Sequence, residues 1–178
     1  MTSSGPRFLI KDGALSWPEI GPMRERIYSP EKLASPSMHG IEWASAQRRL
    51  MLYVEDELCA AAGSYEREIL HNDQPVRVAG IGGVMTEPKF QGKGHGAQTM
   101  LHLVELLRAE GNYAFGLLFC EDHNIGFYSK LGWSLFEGEV LVEQRGASGP
   151  FPFRNVMLIP LAGPAKLTGK LDLCGLPW

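Results

Sequence analysis

The sequence has no apolar run approaching the roughly 18 residues that cross a bilayer as a helix. It has no long basic run, and its formal net charge is −3. Both features argue against general affinity for nucleic acid, whose phosphates are held by clustered Lys and Arg. There are three cysteines, Cys59, Cys120 and Cys174. The odd count argues against a disulfide framework, and gaps of 61 and 54 residues match no zinc pattern, so no metal site is expected. Reduced, buried thiols fit a cytoplasmic protein. Met1 to Arg7 is short and polar and lacks the apolar core of a signal peptide. Internal repeats and low-complexity tracts are absent as well.

What is present is ordinary for a globular chain: 178 residues, 44% apolar and 21% charged. That length predicts one domain over residues 1–178 with a core that needs no disulfide. The pattern predicts a strand at Arg7–Lys11 and a helix over Ser16–Tyr28, with Ser16 as its cap and Pro18 in its first turn. Ser29–Gly40 reads as a loop and Ile41–Gln47 as a short helical piece. Arg49–Val54, Glu57–Leu70 and Val76–Glu87 then form a meander turning at Glu55-Asp56 and His71-Asn72-Asp73. In Gly96–Arg108, Ala97, Met100, Leu101, Val104 and Leu107 recur at helical spacing. Tyr113–Cys120 reads as a buried strand and Asn124–Leu131 as a short helix stopped by Gly132. Trp133–Val142 and Asn155–Leu161 read as a hairpin across a Gly/Pro-rich loop. The sum is an α/β layout with a strand–helix–strand crossover at its centre.

The most informative stretch runs from Val84 to Gly96. A strand stops at Pro88, glycines occupy positions 92, 94 and 96, and a helix begins. Glycines allow close backbone approach to a ligand. A helix start offers free N–H groups and a positive dipole end, together a cradle for a diphosphate. Lys93 adds a point charge. Two other phosphate loops fit worse: Gly94 is followed by His95 rather than Lys-Ser/Thr, and the glycine spacing is not G-x-G-x-x-G. Without further support, a glycine-rich turn with no ligand remains an alternative.

Gln91-x-x-Gly94-x-Gly96 resembles the Q/R-x-x-G-x-G/A signature of the GNAT superfamily of N-acetyltransferases. Asn124-Ile125-Gly126-Phe127-Tyr128-Ser129-Lys130-Leu131-Gly132-Trp133 resembles that family's N-x-x-x-F-Y-x-K-x-G-F/W segment. The two motifs stand in the family's order and separation, and the resemblance covers about residues 50–142. It implies a mixed, mostly antiparallel GNAT-like sheet with a central strand–helix–strand unit and helices on both faces. It also implies acetyl-CoA as acyl donor. The backbone of Val84, Met85 and Thr86 would pair with the pantetheine arm as an added strand does. The N–H groups of Gln91, Gly92, Lys93, Gly94, His95 and Gly96 would hold the diphosphate, and Asn124 would bond the arm farther along. Tyr128 stands where the family often has its general acid, facing the leaving thiolate. Reference pKa values of about 10 for Tyr and about 8.5 for a thiol make full transfer uphill by roughly 2 kcal/mol. A stabilising hydrogen bond therefore counts for as much as protonation.

The acceptor is less constrained. An ammonium must lose a proton before it attacks. Glu66 and Glu68 share one strand face and are candidates, beside the reading of a solvated face. Cys120 admits an acyl-cysteine route, though it has no evident base partner. His71, His95 and His123 read as turn or loop residues. Within the superfamily, Arg77–Val84 and the tail Leu171–Trp178 are similar to the aminoglycoside 2′-N-acetyltransferases. That likeness implies that Asp172 and the Trp178 carboxylate attract a small cationic amine. Gly82, however, stands where those enzymes carry a glutamate. Three readings follow: an acetyltransferase for a small amine; an enzyme acylating a protein terminus or lysine, or using a longer acyl-CoA; and a silent acyl-CoA-binding module. A homodimer is compatible with all three.

Overall fold

The computed structural model describes residues 5–36, 38–151 and 155–178. Residues 1–4, on which part of the leader argument rests, and 152–154 of the Gly/Pro-rich loop lie outside the described residues.

Alternation of apolar side chains sets the central sheet. In β2 (Arg48–Val54) and β3 (Glu57–His71), Leu50 and Ala62 face one way and Met51 and Ala61 the other, and both faces are buried. Glu55-Asp56 and Asn72-Asp73, all at positive φ, make the tight turns from β2 to β3 and from β3 to β4 (Gln74–Thr86). β1 (Arg7–Asp12) pairs antiparallel with β2. The chain then crosses through α3 (His95–Glu110) to β5 (Phe115–Cys120), which lies parallel to β4. Met100, Leu103, Val104 and Leu107 bury the inner side of α3, and Gly111 ends it at φ 68°. α4 (Ile125–Lys130) joins the same cluster through Tyr128. α1 (Trp17–Ile27) covers the opposite face, with Ile20 and Met23 against Met51, Ala61 and Met85. The result is the expected mixed, mostly antiparallel sheet with helices on both faces.

Three local expectations are corrected. Ser16 does not cap α1 through its side chain. Its hydroxyl donates to the Gly13 carbonyl at 2.8 Å and accepts from Arg49 Nη1 at 2.8 Å. Ile41–Gln47 is not helical; Ile41, Trp43 and Ala44 pack on the tail's cluster, and the Ala44 N–H donates to the Pro177 carbonyl at 2.7 Å. These tertiary partners outweigh a weak local helix preference. Trp133–Val142 is not one strand of a hairpin. It divides into β6 (Ser134–Leu135), which pairs with β9 (Asn155–Pro160), and β7 (Glu137–Gln144), which pairs with β8 (Ala147–Pro150). β10 (Thr168–Asp172), an element the sequence pattern did not suggest, lies between β3 and β7. Gly138 permits this: a Cβ there would stand 1.9 Å from the Gly169 carbonyl oxygen. The Ser29–Gly40 loop contains one helical turn, α2 (Pro30–Leu33).

Candidate functional site

The site begins where β4 and β5 part. Their ladder runs from Val78/Phe115 to Ile81/Leu118 and stops. In the β3–β4 ladder the register slips between Ala61/Met85 and Gly63/Gly82, which leaves one extra residue in β4. Gly83, at φ +57°, takes the left-handed conformation of that bulge. Beyond it, Val84, Met85 and Thr86 carry an edge with no β5 partner among the described residues, an open seat for an extended amide chain.

That edge leads into the glycine loop. Gly92 and Gly94 stand at φ 74° and 83°, conformations costly for residues with a Cβ. Gly94 is the N-cap of α3, so the free N–H groups of its first turn open onto the loop. Gln91 Nε2 donates to the Thr86 carbonyl at 3.0 Å and ties the loop to the strand end. Lys93 Nζ donates to the Lys89 carbonyl at 3.1 Å. His95 packs edge-on against Phe90, and its Nδ1 is buried without a partner among the described residues. A Cβ on Gly96 would come 2.9 Å from Thr86 Oγ1, so this position sets how closely helix and strand approach. The loop is thus a preformed nest of N–H donors suited to an anion.

A cavity of about 460 Å³ opens beside the parted strands. Val84, Met85, Asn124, Tyr128, Cys120 and Trp178 all line it. Tyr128 is 8% exposed and packs edge-on against Phe127 and Trp133. Burial, with smaller contributions from Cys120 and Tyr28, pushes its phenol pKa upward, so the hydroxyl stays a donor at neutral pH. Burial likewise raises the Cys120 thiol, to about 11, with Asp122 and Glu121 adding to the effect. A thiol so placed is not a ready nucleophile.

The tail supplies Trp178 to the cavity wall. Trp178 is buried, donates from Nε1 to the Leu117 carbonyl at 3.1 Å, and stacks on Tyr65 at 5.8 Å. Two glycines make its seat. A Cβ on Gly80 would lie 2.1 Å from the indole, and one on Gly82 3.0 Å from the Trp178 carboxyl carbon. The Trp178 main-chain carbonyl group therefore fills the space in which a side chain at position 82 would begin. The glycine that breaks the aminoglycoside-type pattern is occupied from outside its own strand.

The other acceptor candidates are not brought to this cavity. Glu66 pairs with Arg48 at 3.1 Å and with Arg77 at 3.4 Å, in a network that includes Glu110 and Tyr113. Glu68 is exposed beyond it on the same strand. Asp172 accepts from the Cys174 N–H at 2.9 Å within its own turn. None of the three lines the cavity. Sequence reasoning missed the rest of the wall: Trp17, Arg24, Tyr28 and Lys32 from the α1–α2 segment, Trp43 and Arg49, and Tyr65 and Phe119 from β3 and β5. A weak signal existed, because Ile20, Arg24 and Tyr28 recur every four residues. Nothing local states what that stripe faces.

Comparison with known proteins agrees with this fold. A family model described as an acetyltransferase (GNAT) domain matches residues 35–136, more than half of the chain. The chain belongs to the GNAT acetyltransferase family. No curated protein matches it significantly. Among solved structures, a GNAT family N-acetyltransferase (YhbS) from Escherichia coli in complex with CoA aligns with a TM-score of 0.62 at 16% identity, over 97% of this chain and 93% of that one. A GNAT family acetyltransferase from Brucella melitensis in complex with acetyl-CoA aligns at 0.58 and 15%, over 93% and 94%. A GCN5-related N-acetyltransferase from Kribbella flavida aligns at 0.55 and 21%, over 74% of this chain but 34% of that one; the chain spans about a third of that protein's length. At these identities the likeness is one of fold. No helix among the described residues is long and apolar enough to cross a membrane.

Proposed function

We propose that residues 1–178 act as an N-acetyltransferase domain that moves the acetyl group of acetyl-CoA to a small primary amine bound in the cavity. One observation carries the reading. Val84 and Met85, on the β4 edge that has no β5 partner among the described residues, line one cavity with Asn124 and the buried Tyr128, and that edge runs on through Thr86 into the Gly92–Gly96 nest at the start of α3. The edge would pair with the pantetheine amides, the nest and the α3 N-terminus would hold the diphosphate, and Asn124 would bond the arm. Acetyl-CoA supplies an activated acyl carbon.

The amine nitrogen attacks that carbon, the C–S bond breaks, and the amide forms. The electron pair leaves on sulfur, where the Tyr128 hydroxyl donates a hydrogen bond. Its raised pKa makes it a better donor than acid, and the final proton on sulfur can come from water. The ammonium proton departs to water. With the Cys120 thiol protonated, attack is direct and no acyl-enzyme forms.

The test is thiol release from acetyl-CoA with a panel of primary amines, comparing the wild type with Tyr128→Phe. The variant should lose about 100-fold or more in kcat and bind CoA within about twofold of the wild type. Binding of acetyl-CoA without turnover on any amine would favour a silent binding module instead.

A further inference from the structure

The cavity wall contributed by α1, α2 and β2 carries positive charge that no carboxylate of the described residues neutralises. Arg24, Lys32 and Arg49 all line the cavity. Neighbouring cations are paired: Lys11 with Glu19, Arg26 with Glu87, and Arg48 with Glu110. No carboxylate of the described residues lies within 4 Å of Arg24, Lys32 or Arg49. Arg49 is the most unusual of the three. It is 9% exposed, yet among the described residues its guanidinium donates only to neutral acceptors, the Gly13 carbonyl at 2.5 Å and Ser16 Oγ at 2.8 Å. Burial pulls its pKa below the ordinary arginine value, a desolvation that a bound anion would offset. Arg24 and Lys32 flank the Tyr28 ring at 5.7 and 5.0 Å, so their charges are held at the cavity. Among the described lining residues, Glu121 is the one carboxylate side chain. Seven of the lining residues are aromatic.

We infer that the acceptor is a small aromatic molecule bearing both a primary amine and a carboxylate, such as an aromatic amino acid. The inference rests on the acetyltransferase reading of this cavity and deepens it. The amine would sit toward Tyr128 and the β4 bulge, where attack on the acyl carbon takes place. The carboxylate would sit toward Arg24, Lys32 and Arg49, where a guanidinium fork matches its two oxygens. The aromatic walls would take the ring, and a volume of about 460 Å³ suits a ligand of that size. A polycationic acceptor would meet three lining cations with one lining carboxylate side chain, Glu121, to offset them, so the expected small amine becomes a zwitterion rather than a polycation.

The experiment measures binding of N-acetyl-tryptophan and N-acetyltryptamine, which differ in the carboxylate alone, to CoA-saturated protein by calorimetry. The corresponding phenylalanine and phenethylamine products serve as a second pair. The carboxylate-bearing member should bind about tenfold or more tightly, in line with a charge-assisted contact. In Arg24→Gln/Lys32→Gln, two residues outside the buried core, that preference should collapse while CoA affinity is unchanged. Equal binding within both pairs, a preference that survives in the double variant, or no binding of any product overturns the inference. So does weakened CoA binding in the variant, which would assign the cations to the cosubstrate. A preference for succinyl-CoA over acetyl-CoA that the double variant abolishes would place the carboxylate on the donor and overturn it too. Turnover of tryptophan and tryptamine separates this inference from its parent. Carboxylate-selective binding without turnover defeats the transferase reading alone. Turnover with no carboxylate preference defeats the inference alone.

Discussion

Gly80→Ala tests the seat of the tail, and its cost can be worked from the structure. The added Cβ would lie 2.1, 2.4 and 2.6 Å from three indole atoms of Trp178. The ring cannot slide away freely. It is bonded to the Leu117 carbonyl, stacked on Tyr65, and covered by the Arg67 guanidinium at 5.1 Å. Two responses are open. Repacking around the methyl costs about 1–3 kcal/mol as an overpacked core position. Ejecting the indole costs about 3–5 kcal/mol of burial plus about 1 kcal/mol for the lost hydrogen bond. The cheaper route sets the expectation near 3 kcal/mol, because a 2.1 Å approach lies at the severe end of overpacking. At about 2–4 °C per kcal/mol for a chain of this size, the melting temperature should fall by roughly 6–12 °C. Trp178 lines the cavity and its main chain must move with its ring, so kcat/KM for the amine should drop about tenfold or more while CoA affinity holds. Thermal melts, CoA calorimetry and thiol-release kinetics read the three quantities. Deleting Trp178 in the same background should add little, since both changes act on one contact. A melting temperature within 2 °C of wild type, by the same size scaling, would refute the seating of the tail on β4.

Three further outcomes follow from the geometry. Gly94→Val places a β-branched side chain at φ 83° with open space around it, so strain alone should cost about 1–2 kcal/mol and CoA binding should weaken at least tenfold, read by calorimetry. Cys120→Ala should keep activity within about threefold, because its thiol is held protonated; a covalent acetyl adduct on Cys120 by mass spectrometry would contradict direct attack. The Glu110 carboxyl is held below its ordinary value, chiefly by the hydrogen bond from Arg48. A depressed folded-state pKa gives stability that is present above the unfolded value and lost as pH falls through the folded one. Melting temperature should therefore decline below about pH 4.5, and Glu110→Gln should flatten that decline; an unchanged slope would show that the pair contributes nothing.

Local chemistry wrote the donor half of this protein into its sequence. Gly92 and Gly94 occupy backbone conformations that side chains rarely adopt, so they mark the loop before any contact is known. Met100, Val104 and Leu107 repeat with the helical period, and the Glu55-Asp56 and Asn72-Asp73 turns sit between alternating strands, so α3 and the meander were legible too. The acceptor half was not. Trp178 lies 98 residues from Gly80 in sequence, and the two meet only because β10 leads the tail back across the sheet to Leu117 and Tyr65. Glu66 and Glu68 share a strand face, as alternation requires, but which face meets the cavity depends on what packs above it: there, Arg48 and Tyr113 rather than a ligand. The bulge at Gly83, the parting of β4 and β5, and the unpaired charges of Arg24, Lys32 and Arg49 are likewise relations between distant segments. Conformational preference and periodicity act within a few residues and could be read directly. Complementarity of shape and charge is settled only when the chain is packed.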